Sequence, residues 1–210
     1  MKQRVQIYSL HLQQVAIDLK RKREFLWRQV SKHSELRRHR LAFKMMSFLA
    51  STGDTDAIFG LGCYFEEGYG VRKDKRHAFL LYQSAASYGN VEGLFSVGRC
   101  LCLGKGVRKN IKLGVEFLKL SSRRGDIDSK YQIGLVYSRS SDPRMIKDSV
   151  RWFRSAARLG HVDSAFSLGF AYSSGRGTPI RKRLAKKWYK KAAEGGDADA
   201  QHNLDLLSMR

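Results

Sequence analysis

Paired glycines followed by basic residues recur along the chain in a form that could bind phosphate. Residues 68–73 (GYGVRK) recur as 104–109 (GKGVRK) and, in altered form, as 175–182 (GRGTPIRK). Glycine-rich loops can cradle phosphates with backbone N–H groups. Neither G-x-x-x-x-G-K-[ST] nor G-x-G-x-x-G occurs, and no strand is predicted beside the loops. We therefore interpret these glycines as structural.

Residues that commonly bind metals or catalyse reactions are scattered. Cys63, Cys100 and Cys102 form no C-x₂₋₄-C pair with nearby ligands, as structural zinc requires, and they fall on or near apolar helix faces. We interpret them as small core residues. The six histidines are scattered, and Asp163, two residues after His161, fits a charge at a helix start. The sequence predicts no catalytic residue, no metal and no cofactor.

An internal repeat of about 36 residues organises the chain. One series of glycines is spaced by 36, 36, 35 and 36 residues: Gly53, Gly89, Gly125, Gly160 and Gly196. A second series pairs an aliphatic residue with glycine at the same intervals: Leu61-Gly62, Val97-Gly98, Ile133-Gly134 and Leu168-Gly169. Coincident series at one period predict stacked structural units.

Each unit is predicted to contain two helices, over residues 55–67 and 75–88 in the first full unit. Apolar residues at Ile58, Leu61 and Phe65 follow the spacing of a buried helix face. Glycines are expected to end the first helix and to permit close packing, and those predicted to be structural are Gly62, Gly68, Gly70, Gly98, Gly104, Gly106, Gly134, Gly169, Gly175 and Gly177.

These residues resemble the SEL-one-like repeat family, a relative of tetratricopeptide repeats. The last full unit matches its pattern closely through Ala165, Leu168, Gly169, Tyr172, Gly175, Gly177, Ala185, Trp188, Tyr189, Ala192, Ala193 and Gly196. The resemblance implies an all-α, right-handed α-solenoid of antiparallel helix pairs over residues 42–210. Full units are expected at about 54–89, 90–125, 126–160 and 161–196, with partial units at both ends. The third unit departs most, because its turn, SRSSDP, has lost both glycines.

The charge is strongly positive. Forty Lys and Arg residues stand against 19 Asp and Glu residues, a net charge of +21, which predicts attraction to polyanions. Residues 1–50 hold twelve of the basic residues and three acids. Residues 1–41 carry no repeat signature and are interpreted as a basic helical extension, with helix-compatible stretches at 5–19 and 25–30. The extension could cap the first repeat, bind RNA with Phe25 and Trp27 stacking on bases, or contact protein or membrane.

Two groups of basic residues are therefore candidate contacts for RNA or another polyanion. The first lies in the extension: Lys20, Arg21, Lys22, Arg23, Arg28, Arg37, Arg38 and Arg40. The second follows the glycine turns: Arg72, Lys73, Arg108, Lys109, Arg181 and Lys182. Stacked repeats are expected to bring the second group onto one edge, where affinity for a phosphodiester backbone grows with the number of phosphates neutralised. The alternative is that these are solvated loop charges.

The expected compartment is intracellular and reducing, because three cysteines in a chain of this size do not make a disulfide framework. Residues 1–17 lack any acid, which loosely matches an organellar transit segment as well as an ordinary basic helix. No run of 18 apolar residues occurs, so no membrane span is expected.

The resemblance implies a non-enzymatic scaffold that gathers other macromolecules. Together with the charge, it predicts a structural subunit of a ribonucleoprotein assembly, for example an organellar ribosome, that contacts RNA and neighbouring proteins. The expected location is the mitochondrion, with the cytoplasm as the alternative. The alternative is a protein-binding adaptor in a signalling, degradation or effector complex without nucleic acid. No small-molecule substrate is expected.

Overall fold

The structure is a computed structural model that describes the backbone of residues 2–208 and the side chains of residues 17, 18 and 20–208. Within those residues the chain forms eleven α-helices and no strand. The chain divides into two compact units, Met1–Asn90 and Val91–Arg210. No helix in the described part of the chain combines the length and apolar character needed to cross a bilayer.

The first unit contains a long helix followed by three shorter ones. They are α1 (Lys2–Glu35), α2 (His39–Ser51), α3 (Thr55–Glu67) and α4 (Lys75–Ser87). Val30 from α1, Met46 and Leu49 from α2 and Leu61 from α3 are buried in one apolar cluster. The C-terminal half of α1 thus covers the apolar side of the helices that follow it, as a cap must do at the end of a repeat array.

The helix α1 differs from the two separate stretches expected at 5–19 and 25–30. It runs without interruption through residues 20–23 (KRKR). Lysine and arginine are good helix formers, and residues 2–35 contain no glycine or proline that would stop the helix. The helix ends just before Arg37, whose φ of 53° lies in the left-handed region.

The second unit contains three helix pairs and a closing helix. They are α5 (Val91–Leu103) with α6 (Ile111–Arg123), α7 (Ile127–Ser138) with α8 (Pro143–Arg158), α9 (Val162–Ser174) with α10 (Lys182–Glu194), and α11 (Ala198–Ser208). The residues of its core include Leu118, Ile133, Phe153, Leu168 and Tyr189, each less than 5% exposed. The apolar stripes of both helices in a pair therefore meet in one core.

Glycines with two kinds of geometry shape the repeats. The turn glycines have positive φ: Gly68, Gly70, Gly104, Gly106, Gly175 and Gly177. At Gly68 this left-handed backbone lets the amide donate to the Tyr64 carbonyl and end α3. The helical glycines instead permit close approach, since an added Cβ would meet the facing side chain at 2.5–2.7 Å: Gly62 at Tyr82, Gly98 at Leu118, Gly134 at Phe153 and Gly169 at Tyr189.

The turn between α7 and α8 is irregular. It belongs to the third unit, whose turn lacks both glycines. It has four residues, 139–142, whereas the corresponding turns after α3, α5 and α9 each have seven. Asp142 accepts a hydrogen bond from the Arg144 amide, and Pro143 occupies the first position of α8, where its missing N–H costs nothing. A capped proline start replaces the glycine turn and lets α8 begin earlier.

Candidate macromolecular interface

Arg23 and Trp27 form an internal contact. Arg23 forms an ion pair with Asp54 and lies 3.3 Å from Asp56, and Trp27 Nε1 donates to Asp54 Oδ2 at 3.1 Å. Asp54 also caps α3 by accepting from the amides of Asp56 and Ala57. Burial opposes ionisation, but the hydrogen bonds from Arg23, Trp27 and Ala57 together lower the pKa of Asp54. These contacts fasten α1 to the start of α3, as the cap interpretation of the extension requires. The Arg23 side chain is still 51% exposed, so its contact with RNA stays a prediction.

The other candidate cations of α1 are exposed to solvent: Lys20, Arg21, Lys22 and Arg28. Arg21 and Lys22 line an open cavity of about 410 Å³ whose remaining walls are Phe25, Leu26 and Phe48. Phe25 is 60% exposed and Phe48 is 58% exposed. This surface of the first unit therefore combines cations with uncovered aromatic rings.

The remaining candidates of the first unit lie at or beside two of its connections, between α1 and α2 and between α3 and α4. Arg37 and Arg38 connect α1 to α2, and Arg40 is the second residue of α2; all three are exposed. Arg72 and Lys73 lie in the turn between α3 and α4. Lys73 Nζ is 3.6 Å from Glu67 Oε2, with both side chains about half exposed. Such a surface pair is weak and leaves Lys73 able to exchange partners.

The candidates of the second unit lie near two helix starts, at positions that differ by two residues. Arg108 lies two residues before Asn110, the N-cap of α6, whereas Arg181 is the N-cap of α10. The sequence predicted similar positions for the two basic pairs, but the longer spacing in residues 175–182 (GRGTPIRK) displaces the second pair. Arg108 and Lys109 precede α6, and Arg181 and Lys182 begin α10; all four are exposed. Arg181 is the N-cap residue of α10, without a side-chain capping bond. Their charges are available to a partner.

The helix α10 presents a basic face that the repeat comparison did not single out. Five of its six cations are exposed and Lys186 is half-buried: Lys182, Arg183, Lys186, Lys187, Lys190 and Lys191. At 3.6 residues per turn and 1.5 Å per residue they occupy one half of the helix surface over about 14 Å, while Ala185, Tyr189 and Ala192 are buried on the other half. The lysine spacing in residues 186–191 (KKWYKK) predicts this basic face. The basic residues that follow the glycine turns do not reveal it, because only Lys182 belongs to both groups.

Few acidic groups neutralise this face. In the described residues one ion pair involves α10, between Lys190 Nζ and Glu194 Oε1 at 3.9 Å. Lys191 Nζ donates to the Ala157 carbonyl at 2.7 Å and lies 5.6 Å from the centre of the Trp188 ring. The face is therefore anchored at Lys191 and carries uncompensated charge elsewhere.

A cavity of about 260 Å³ lies between α7 and α9. Its lining includes Phe153, Phe166 and Phe170, of which Phe170 is 49% exposed. Two exposed arginines, Arg139 and Arg176, complete it. Arg176 Nη2 donates to the Ser138 carbonyl at 2.7 Å, so the guanidinium is held at the end of α7. We name this the α7–α9 cavity.

A second cavity, of about 330 Å³, lies on the other side of Arg139. Its apolar lining includes Leu103, Ile111, Val136 and Met145, and Lys109 and Arg139 supply two cations. We name this the α5–α7 cavity. Arg139 is the residue common to the lining of both cavities.

Several residues with potential for chemistry have structural roles, while Cys63 is half-buried. Cys100 and Cys102 are buried, and burial raises the pKa of the Cys102 thiol. His161 Nδ1 accepts from the Ser164 amide at 3.1 Å and so caps α9, and Asp163 lies in the first turn of that helix, as expected. No group of three or more His, Cys, Asp or Glu residues within the described part of the chain could hold a metal ion.

Tyr82 and Glu66 form a buried polar pair in the first unit. The Tyr82 hydroxyl donates to Glu66 Oε2 at 2.7 Å. Burial, together with this hydrogen bond, raises the pKa of Tyr82 above its usual range. The tyrosine therefore stays protonated and serves as a hydrogen-bond donor inside the helix pair.

Repeated helix pairs with glycine turns define the class of α-helical repeat proteins, and comparison with known proteins identifies the family. The Sel1 repeat matches residues 55–90, 91–126, 128–161 and 162–197. The chain belongs to the Sel1 repeat family. Its architecture is the α-solenoid of this family, with repeats of about 36 residues, which is suited to protein–protein interaction.

Solved structures agree with this assignment. The chain is similar to a Sel1 repeat protein from Oxalobacter formigenes, with 27% identity, a TM-score of 0.73 and coverage of 82% of this chain and 71% of that one. It is also similar to c5321, a protective antigen of uropathogenic Escherichia coli with this fold, at 25% identity and a TM-score of 0.71, covering 87% of this chain and 43% of that one. Comparison with curated proteins gives no match.

Proposed function

We propose that this Sel1 repeat chain is a non-enzymatic structural subunit of a ribonucleoprotein assembly, where it contacts RNA through its basic surfaces and neighbouring proteins through its repeats. The observation that carries the proposal is the basic face of α10, with six cations on one half of one helix. Each phosphate neutralised by such a face releases counterions, which drives binding to a polyanion. The exposed cations at residues 20–22 of α1 extend the same chemistry to the first unit.

The reducing compartment expected from the cysteines is part of this proposal, with a mitochondrial ribosome as one example of the assembly. A scaffold role without catalysis accords with buried cysteines and with histidine and tyrosine side chains that serve as a cap and a buried donor. The arrangement supplies charge and surface rather than a reacting group.

The test is RNA binding by the purified chain as a function of salt. We expect affinity for a single-stranded RNA oligonucleotide to fall steeply with salt, and absence of salt-sensitive binding at about 100 mM salt would refute RNA contact. The variant K186Q/K187Q/K190Q should lower the slope of log K against log salt by about 2, at roughly 0.7 per lost contact.

The matched control is K112Q/K119Q/R123Q on α6, which removes the same formal charge from the same unit. If the face of α10 is the site, the control should reduce RNA affinity by less than about threefold, because it changes only the long-range field. Equal losses in both variants would mean that net charge alone accounts for binding and that α10 is no site.

The second candidate function is a protein-binding adaptor without nucleic acid, and it is favoured by the apolar cavities on both sides of Arg139. Affinity purification with and without nuclease, followed by mass spectrometry, separates the two functions. Partners lost after nuclease treatment favour the ribonucleoprotein. One stoichiometric acidic protein retained after treatment favours the adaptor.

A further inference from the structure

The shortened turn between α7 and α8 leaves apolar surface uncovered. In the last full repeat, the second turn glycine packs on the preceding pair: a Cβ on Gly177 would meet the Ile146 carbonyl, at the start of α8, at 2.5 Å. Gly70 packs in the same way against the backbone of His39, at the start of α2. The four-residue turn after α7 has no such glycine. At the corresponding place, the start of α6, Ile111 is 41% exposed and Leu103 nearby is 48% exposed.

Arg139 lies in this turn with an apolar cavity on each side. The α5–α7 cavity contains the exposed Leu103 and Ile111, and the α7–α9 cavity contains the half-exposed Phe170. A second cation lines each cavity, Lys109 in the former and Arg176 in the latter. No acidic side chain lines either cavity among the described residues. The site therefore places Arg139 between two apolar surfaces that neighbouring helices supply.

The dimensions and charges of the site suit a ligand with apolar side chains and a carboxylate. Cavities of about 260 and 330 Å³ lie below and at the lower end of the range of about 300–1,000 Å³ for small-molecule pockets, and each has room for one anchoring side chain. Buried aromatic and aliphatic anchors carry most of the affinity of protein interfaces. A guanidinium offers five N–H donors in a planar fork that matches a carboxylate. Arg176 uses one of its donors on the Ser138 carbonyl, which leaves the others for a partner.

We propose that the α7–α8 turn is a docking site for a segment of an acidic partner protein, which pairs a carboxylate with Arg139 and inserts one apolar side chain into each flanking cavity. Charge complementarity selects the partner, since both cavities carry cations. The cavities favour protein over nucleic acid here, because a phosphodiester backbone could pair with Lys109 and Arg139 but would leave the apolar walls at Leu103, Ile111 and Met145 uncovered. The proposal is independent of RNA binding at α10.

The experiment is selection from a random dodecapeptide display library on the full chain, followed by affinity measurement with the enriched peptides in synthetic form. We expect enriched sequences to contain Asp or Glu flanked by apolar residues. R139Q should weaken their binding by about tenfold or more, since it removes charge-assisted hydrogen bonds. L103E should weaken it comparably, because it places a charge in the wall of one cavity.

Matched variants separate this site from the general charge of the molecule. R158Q removes an exposed arginine at the end of α8, and K186Q/K187Q/K190Q removes charge from α10. Both should leave peptide affinity within about threefold, because long-range attraction changes little at physiological ionic strength. Circular dichroism and thermal unfolding verify that all variants fold.

Three results would overturn the proposal. The first is enrichment of peptides without acidic residues, or peptide binding that R139Q leaves unchanged. The second is an RNA oligonucleotide that displaces the peptide and loses affinity in R139Q, which would assign the turn to nucleic acid. The third is concentration-dependent dimerisation, measured by sedimentation, that R139Q abolishes, which would make a second copy of the chain the occupant.

Discussion

Asp54 is the residue on which the attachment of α1 depends. It caps α3, pairs with Arg23 and accepts from Trp27, while its own side chain is 4% exposed. Replacing it by alanine removes the cap and leaves the Trp27 N–H without its partner. We expect Asp54→Ala to lower the free energy of unfolding by about 2–3 kcal/mol. Asp54→Asn should cost about 1 kcal/mol, because asparagine still caps a helix. Urea unfolding, followed by the tryptophan fluorescence of the first unit, measures the free energy of unfolding of both variants.

The pH dependence of this effect has a definite sign. The pKa of Asp54 is lowered in the folded state, so the folded chain binds fewer protons there than the unfolded chain. The stabilisation is complete above the ordinary aspartate pKa and is lost as the pH falls through the folded-state value. The difference between the native chain and Asp54→Asn should therefore shrink below about pH 4. Asp148→Asn, at an exposed pair with Arg151, is the control and should cost less than about 1 kcal/mol at any pH.

At the scale of the elements, the approach of paired helices depends on a glycine in the first helix of each pair. In α3 a Cβ on Gly62 would lie 2.6 Å from the Tyr82 ring of α4, whereas one on Gly60 would meet the flexible end of Met46 at 3.0 Å. We expect Gly62→Ala to destabilise the chain by about 1–3 kcal/mol through overpacking. Gly60→Ala, in the same helix, should be neutral or stabilising by up to about 1 kcal/mol because alanine favours helix. Equal effects in thermal unfolding would contradict this account of the helix contact.

The elements also show which features a sequence can predict. The helix pairs were predictable because caps, turn glycines and apolar stripes act over a few residues; the first was expected at 55–67, where α3 lies. The pairing of Arg23 with Asp54 joins residues 31 positions apart, and nothing in the local pattern of α1 indicates it. The cavities beside Arg139 border the shortened turn after α7. Loss of the glycines was visible in the sequence, but the surface thereby uncovered depends on how neighbouring pairs pack.

At the scale of the whole molecule, the net charge of +21 opposes compaction through self-repulsion. Salt screens this repulsion, since the Debye length falls from about 30 Å at 0.01 M to about 8 Å at 0.15 M. We expect the free energy of unfolding to rise with sodium chloride over this range by on the order of 1 kcal/mol. The variant K112Q/K119Q/R123Q, which carries three fewer charges, should show a smaller rise. A fall in stability with salt would mean that ion pairs such as Arg23–Asp54 outweigh the repulsion.

The irregular turn after α7 has a consequence for stoichiometry. Four similar repeats in series offer a partner four similar binding positions. A ligand that recognised their common pattern would therefore bind at several positions or in several registers. The four-residue turn occurs once among them, so a partner that requires Arg139 between two cavities finds a single position on each chain. A one-to-one complex with a defined polarity along the array follows from the loss of two glycines.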